Sequence, residues 1–229
     1  MILSIIIPVY NEEKTILEIL RKIKKNSSTN LKYEVIVIND GSTDNTKKLL
    51  EDNKDLYDKL LINENNKGKG FSVKKGIANS TGSHIIFQDA DLEYDPSDYA
   101  KFEKIFLEFD ADGIIGSRFI YSKYTRSHNI LNKIGNKILT LIFNLLYNTT
   151  FTDIYSCYFA FKKNLLESNL LETEGFEQHA EILCKVIKNG NKFYEVPISY
   201  NGRSQSEGKK IKAYHFFFVL FEILKRRFF

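Results

Sequence analysis

Short apolar runs that each end in polar or glycine-rich punctuation restrict this chain more than any other feature. Leu3–Val9 is nearly continuous in aliphatic residues, as expected of a strand buried on both faces. Glu34–Ile38, Leu60–Ile62, His84–Phe87 and Asp112–Gly116 read as further strands. Between them lie helical patterns. Glu12–Lys25 carries Ile16, Leu17, Ile19, Leu20 and Ile23 at helical spacing, with acids early and lysines late. Asp44–Leu50 opens on an aspartate cap, Gly70–Asn79 is a third helix, and Pro96–Phe109 has proline in its first turn. The alternation predicts one α/β unit, Rossmann-like, with a mostly parallel sheet and helices on both faces.

In such sheets ligands sit beyond the carboxyl ends of the strands. Here those ends carry Pro8-Val9-Tyr10-Asn11-Glu12, Asn39-Asp40-Gly41-Ser42, Asn66–Gly70 and Asp89-Ala90-Asp91. Two carboxylates separated by one small residue raise each other's pKa. A hard divalent cation relieves that cost: Mg²⁺ or Mn²⁺ takes one or two protein carboxylates and leaves its other positions to water and phosphates. The competing reading is a strand that runs into a solvated acidic loop. Asp40 is placed to accept hydrogen bonds from a base or ribose, although a plain turn with Asp44 as helix cap explains much of the same motif. Asn66-Lys67-Gly68-Lys69-Gly70 suits backbone approach to phosphate without P-loop spacing; a basic loop is the alternative. Tyr10 offers an aromatic face to a nucleobase, or simply leaves the strand.

Composition narrows the rest. With 229 residues and 43% hydrophobic content, the chain can bury one sizeable core, so a single domain over 1–229 is expected. A net charge of +4 is too diffuse to argue for nucleic acid and suits anionic small molecules or a lipid surface. Cys157 and Cys184 lack metal-like spacing and read as reduced thiols of an intracellular protein, the second on a helix. Leu3–Val9 lacks the flanks of a signal peptide, and no apolar run approaches the ~20 residues of a membrane span. The expected location is cytoplasmic, peripheral on the cytoplasmic membrane face. Ile134–Tyr147 and Ala213–Leu224 form amphipathic helices near the C-terminus. The second is flanked by Lys209, Lys210 and Lys212 before and Lys225, Arg226 and Arg227 after, which suits an anionic membrane; packing on the sheet is the alternative.

In order, Ile5-Ile6-Ile7-Pro8-Val9-Tyr10-Asn11-Glu12, Val37-Ile38-Asn39-Asp40-Gly41-Ser42-Thr43-Asp44, Gly68-Lys69-Gly70 and Gln88-Asp89-Ala90-Asp91-Leu92-Glu93-Tyr94-Asp95-Pro96 resemble the inverting family 2 of nucleotide-sugar glycosyltransferases, which have the GT-A fold. Downstream, Gly116-Ser117-Arg118-Phe119, Thr152-Asp153-Ile154-Tyr155-Ser156-Cys157-Tyr158, Gly175-Phe176-Glu177, Glu195-Val196-Pro197-Ile198-Ser199-Tyr200, Arg203 and Glu207-Gly208-Lys209-Lys210-Ile211 resemble the dolichyl- and polyprenyl-phosphate sugar synthase branch.

The resemblance implies transfer of a hexose from a UDP- or GDP-sugar to a polyprenyl phosphate. Residues 1–117 would form the nucleotide-sugar half and 118–229 the acceptor half. Pro8, Tyr10, Glu12 and Asp40 would hold the nucleoside, with Lys69 near the diphosphate. Asp89 and Asp91 would bind Mg²⁺ or Mn²⁺, and Asp89 the donor as well. Glu93 would be a third oxygen ligand or a solvated rim acid. Arg118, Arg203 and Lys209 would clamp the acceptor phosphate and leaving diphosphate, as the planar fork of arginine suits phosphate oxygens. The segment from Arg203 to Lys210 would close over bound substrate. Asp153 is the candidate assisting carboxylate, with Glu177 and Glu181 behind it; each has the alternative of orienting an arginine or capping a helix. A phosphate monoester with a second pKa near ~6 is already mostly dianionic, so a strong base is dispensable. The chain departs from the branch at Phe159, where Lys or Arg is usual; Lys162, Arg126 or His128 are possible substitutes. Transfer to a glycan or lipid hydroxyl and a non-catalytic nucleotide-sugar-binding regulator are the alternatives. A dinucleotide-dependent oxidoreductase lacks its Gly-x-Gly-x-x-Gly turn.

Overall fold

The structure, a computed structural model, describes residues 1–28, 30–120, 130–203 and 214–229. Its centre is a seven-stranded sheet: β1 (Ile2–Val9), β2 (Lys32–Asp40), β3 (Lys59–Asn63), β4 (His84–Phe87), β5 (Gly113–Ser117), β6 (Phe159–Lys162) and β7 (Phe193–Pro197). The strand order is β3-β2-β1-β4-β6-β5-β7. β1 lies parallel to β2 and β4, with Ile5 opposite Val35 on one side and Ile86 on the other. β6 is antiparallel to both β4 and β5, while β7 resumes the parallel sense beside β5. Strands from both sequence halves therefore share one sheet.

The core follows from the pattern of the first strand. Ile5, Ile6 and Ile7 alternate faces and all are fully buried, so both faces of the sheet centre are covered. The helices are α1 (Ile16–Lys25), α2 (Thr46–Asp52), α3 (Lys69–Asn79), α4 (Tyr99–Phe109), α5 (Ile130–Tyr147), α6 (Gln178–Asn189) and α7 (His215–Phe228). α3 approaches β1 and β2 so closely that a Cβ on Gly76 would lie 2.6 Å from Ile6 Cγ2 and 2.8 Å from Ile38 Cδ1. Pro96–Asp98 forms a 3₁₀ turn ahead of α4, in which the Asp95 carboxylate accepts from the Ser97 amide at 2.9 Å.

Predicted and observed elements agree closely over the first half. Asp44 accepts from the Thr46 amide at 3.0 Å and from the Glu13 amide at 3.2 Å, so it supports the start of α2 and ties it to the loop after β1. α5 starts one turn before the expected Ile134, and α7 continues one turn beyond Leu224. The chain runs β1, β2, β3 outward to one edge and returns to β4 on the other side of β1. That reversal opens a crevice beyond the C-terminal ends of β1 and β4. Pro8–Glu12 and Asp89–Asp91 lie there.

Candidate active site

A cavity of about 630 Å³ opens at this switch point. Pro8, Tyr10, Glu12 and Asp40 line it, as do Lys69, Asp89, Asp91 and Glu93, together with Arg118 and Arg203. The ordered loops of the sequence thus meet in one place. Lys209, Arg126 and His128 lie outside the described residues.

The turn after β2 brings the first two groups together. Gly41 has φ +67°, and a Cβ there would fall 2.4 Å from the Asn65 carbonyl carbon, so the turn and the loop before α3 can touch only through glycine. Asp40 holds that loop: its oxygens accept from Asn63 Nδ2 at 2.7 Å, the Lys67 amide at 3.1 Å and the Gly68 amide at 2.9 Å. Its carboxylate reaches the cavity wall while shaping the loop that delivers Lys69.

Lys69, at the first position of α3, donates to Asp89 Oδ1 at 2.5 Å. Burial raises the Asp89 pKa, but Lys69 outweighs it and holds the carboxyl below its usual range; the Cys157 thiol adds a further hydrogen bond. Asp91 behaves oppositely. Burial together with the nearby Asp89 and Glu93 charges pushes it up to about 7, against the pull of Arg203. Arg203 Nη2 donates to Asp91 Oδ2 at 2.9 Å and to Glu12 Oε1 at 3.2 Å. Lys69 pairs with Asp89, Arg203 with Glu12, Asp91 and Glu93, and among the described residues Arg203 Nε is buried without a hydrogen-bond partner. An excess of hard oxygen donors with an imperfectly satisfied guanidinium fits a divalent cation at Asp89 and Asp91.

The candidate acids other than Asp89 and Asp91 are engaged by protein partners. Among the described residues no group of three or more His, Cys, Asp or Glu side chains is arranged to hold a metal. Glu93 is committed elsewhere: its Oε2 accepts from Tyr200 Oη at 2.8 Å and its Oε1 from the Arg203 amide at 2.7 Å. Asp153 is fully buried, and Arg118 covers it as a fork, Nε to Oδ2 at 2.7 Å and Nη2 to Oδ1 at 2.8 Å, with the Arg118 amide adding a third bond. Its geometry is that of a group orienting an arginine. Glu181 receives the Glu172 and Thr173 amides and pairs with Lys185 and Arg226, while Glu177 accepts from the Gly175 amide. Neither lies on the cavity wall.

The departure at Phe159 is a core position: the ring is fully buried and stacks on Phe161 at 5.0 Å. Lys162 pairs with Asp110 and Asp112 and does not line the cavity. Sequence reasoning missed Tyr200, whose ring lies 5.1 Å beneath the Arg118 guanidinium, and His179, a cavity residue pushed down to about 4 by burial and Lys69. Tyr200 sat inside a recognised motif, whereas nothing in the sequence distinguishes His179 from a core histidine. Cys157 and Cys184 are both buried with raised thiol pKa values.

The cavity also has an apolar lining. Leu131 and Leu139 of α5 and Phe216, Phe217 and Val219 of α7 line it. Leu131 and Phe217 are also 75% and 69% exposed, so this wall continues onto the outer surface. Among the described residues, no helix is long and apolar enough to cross a membrane.

The mostly parallel sheet flanked by helices is a GT-A fold, and solved glycosyltransferases share that fold. Glucosyl-3-phosphoglycerate synthase from Mycobacterium tuberculosis, solved with Mn²⁺, UDP and glucosyl-3-phosphoglycerate, superposes with a TM-score of 0.74 at 17% identity, over 98% of this chain and 79% of that one. The profile of Glycosyl transferase family 2 matches residues 4–170, and the chain belongs to that family. It is a glycosyltransferase. Relatives include the UDP-N-acetylglucosamine–dolichyl-phosphate N-acetylglucosaminyltransferase of Methanococcus voltae, 29% identical over 92% of this chain and 90% of its own. The dolichol-phosphate mannosyltransferase of Pyrococcus furiosus is 28% identical over 90% of this chain, which spans 58% of that protein's length. Such names place the chain beside the polyprenyl-phosphate sugar transferase branch.

Proposed function

We propose that this protein transfers a hexose, with inversion, from a nucleoside diphosphate sugar to the phosphate of a polyprenyl lipid, with Mg²⁺ or Mn²⁺ at Asp89 and Asp91. One observation carries the reading: a single cavity joins paired carboxylates, two arginines and an apolar wall that reaches the surface. Those linings suit a diphosphate, a reacting phosphate and a lipid chain respectively. The names of the relatives, two of which act on dolichyl phosphate, point to the same acceptor.

Residues 1–117 would hold the donor and 118–229 the acceptor. Pro8, Tyr10, Glu12 and Asp40 would flank the nucleoside. When bound, the divalent cation would neutralise charge growing on the departing diphosphate. Lys69 would stabilise the same charge from the start of α3. Arg118, locked by Asp153 and stacked on Tyr200, would aim the acceptor phosphate at the anomeric carbon. A phosphate oxygen would form the new bond as the sugar–diphosphate bond breaks, and no proton need be removed from the nucleophile. Asp153 is then a positioning residue. Attack by a hydroxyl would need a carboxylate facing the cavity with an oxygen to spare, and Asp153 has both oxygens on Arg118.

The apolar walls of α5 and α7, with the exposed Lys133, Lys137 and Arg227, would rest on an anionic membrane surface. The test is to incubate the purified chain with Mn²⁺, short-chain polyprenyl phosphate and a panel of nucleotide sugars, and to weigh the products. A lipid-phospho-sugar from one donor is the expected product. Transfer to a free glycan without any lipid product overturns the acceptor assignment.

A further inference from the structure

Each of the two carboxylates assigned to the cation already carries a protein cation, and the two are held in different ways. Lys69 belongs to α3, whose first turn is anchored by the Gly70 amide donating to Glu174 O at 2.7 Å. Arg203 is held through its backbone, by way of Glu93. The segment after β7 is zipped to the loop after Asp91: Tyr94 and Tyr200 form an antiparallel bridge, and the Asn201 amide donates to Glu93 O at 2.9 Å. The Glu93 carboxylate then receives both Tyr200 Oη and the Arg203 amide.

From that tether the Arg203 guanidinium spreads over two acids. Its contacts with Glu12 are long, at 3.2 and 3.3 Å, that with Asp91 is 2.9 Å, and Nε lies 3.7 Å from Glu93 Oε1 with no hydrogen bond. Arg118 differs: its fork on Asp153 is bidentate, with a further bond from Nη2 to Tyr155 O at 3.1 Å. One arginine is locked and the other is loosely satisfied.

We propose that Arg203 is an exchangeable counter-ion of Asp91, seated on the carboxylate in the free enzyme and released to a phosphate when the donor and its cation bind. The inference rests on the reading that Asp89 and Asp91 hold the cation. A guanidinium and a divalent cation repel each other across one carboxylate, so binding of the cation weakens the hold of the loosely satisfied Arg203 on Asp91. Arg203 would then leave Asp91 while its amide stays pinned on Glu93, which confines the guanidinium to the cavity. The anions supplied there are the phosphates of donor and acceptor, and a planar fork binds either in paired hydrogen bonds. Glu93 and Tyr200 are therefore positioning residues for this exchange. Donor binding would complete the acceptor site, so the substrates add in order.

The test measures Mn²⁺ binding by electron paramagnetic resonance on the full chain, without nucleotide, for the parent, Arg203→Met and Arg203→Lys. With the competing charge gone, Arg203→Met should bind Mn²⁺ roughly five- to tenfold more tightly, and Arg203→Lys should fall between it and the parent. Thermal unfolding of each variant confirms that a folded chain is compared, and the lysine variant keeps the bulk and charge if the methionine one is unstable. Calorimetry with a short-chain prenyl phosphate forms the second arm. The parent should bind it more tightly once Mn²⁺ and UDP or GDP are present, and Arg203→Met should lose that gain. If the variant instead weakens Mn²⁺–nucleotide binding itself, the freed guanidinium serves the diphosphate. Equal or weaker Mn²⁺ binding by Arg203→Met overturns the inference alone. A parent that binds no Mn²⁺ even with nucleotide overturns the underlying reading of Asp89 and Asp91.

Discussion

Asp153 and Asp91 are carboxylates beside arginines, yet their surroundings suit them to different tasks. Asp153 has no exposure and three bonds from Arg118, so its charge is spent on geometry. Replacing it with asparagine breaks the fork and lets the guanidinium wander by about an ångström, which costs up to about 10²-fold in rate. Asp153→Asn should therefore lower kcat/KM for the acceptor by roughly ten- to hundredfold, with the donor KM little changed; initial rates against both substrates check this. Asp91 shares its corner with Asp89 and Glu93 and has an arginine it can surrender. Asp89→Asn and Asp91→Asn should each lower turnover by about 10²-fold or more, and chelation should do the same to the parent; a rate series with added Mn²⁺ measures both. The acids were legible because Asp-x-Asp after an apolar strand is a local pattern. The long-range pairings around them were not. Arg118 meets Asp153 across 35 residues and Tyr200 meets Glu93 across 107, and no local periodicity reports such pairs.

The elements show the same division. β1, β2, β4 and α3 are continuous apolar runs or regular helical patterns, and their positions could be read directly. β6 could not, because Phe159–Lys162 is short and its place between β4 and β5 is set by long-range pairing. Tight helix–sheet contact is likewise invisible until Gly76 is seen against Ile6 and Ile38. Gly76→Ala should overpack α3 on β1 and β2 and cost about 1–3 kcal/mol of stability, read by urea unfolding. At the opposite end of the sheet Glu34 binds Ser4 Oγ, Lys59 and the Thr81 amide and hydroxyl. Burial opposes its ionisation, but these partners win and lower its pKa from 4.5 to about 2. A depressed carboxyl stabilises the fold above its unfolded pKa. That contribution, about 2 kcal/mol after allowance for screening, is lost as pH falls from 4.5 toward 2. Glu34→Gln should flatten the acid limb of the stability curve over that window, which unfolding titrations at successive pH values will detect.

At the scale of the molecule, the surface is divided between a polar rim and an apolar flank. Leu141 and Leu145 on α5 are 59% and 76% exposed, and Phe218 and Phe221 on α7 are 55% and 66% exposed. A monomer in water rarely leaves so many large side chains uncovered on neighbouring helices. The basic residues at the end of α7 do two jobs. Lys225 and Arg226 pair with Glu172, and Arg226 also with Glu181 and Glu222, which clamps α7 to α6. Arg227 stays exposed, as do Lys133 and Lys137 on α5. Hydropathy in the sequence identified both helices but could not separate the clamping cations from the outward ones, since that depends on where Glu172 and Glu181 stand. If this flank rests on a bilayer, burial of the aromatic and aliphatic side chains supplies most of the affinity and the cations add a salt-sensitive part. Phe218→Ser with Phe221→Ser should then weaken sedimentation with vesicles rich in anionic lipid by at least about tenfold, since each lost phenyl ring forfeits on the order of 1.5–3 kcal/mol of burial. Neither ring lines the cavity. Turnover of a short, water-soluble prenyl phosphate should therefore match the parent, while turnover of acceptor embedded in those vesicles falls. Equal vesicle binding by parent and variant would leave α5 and α7 without a membrane role.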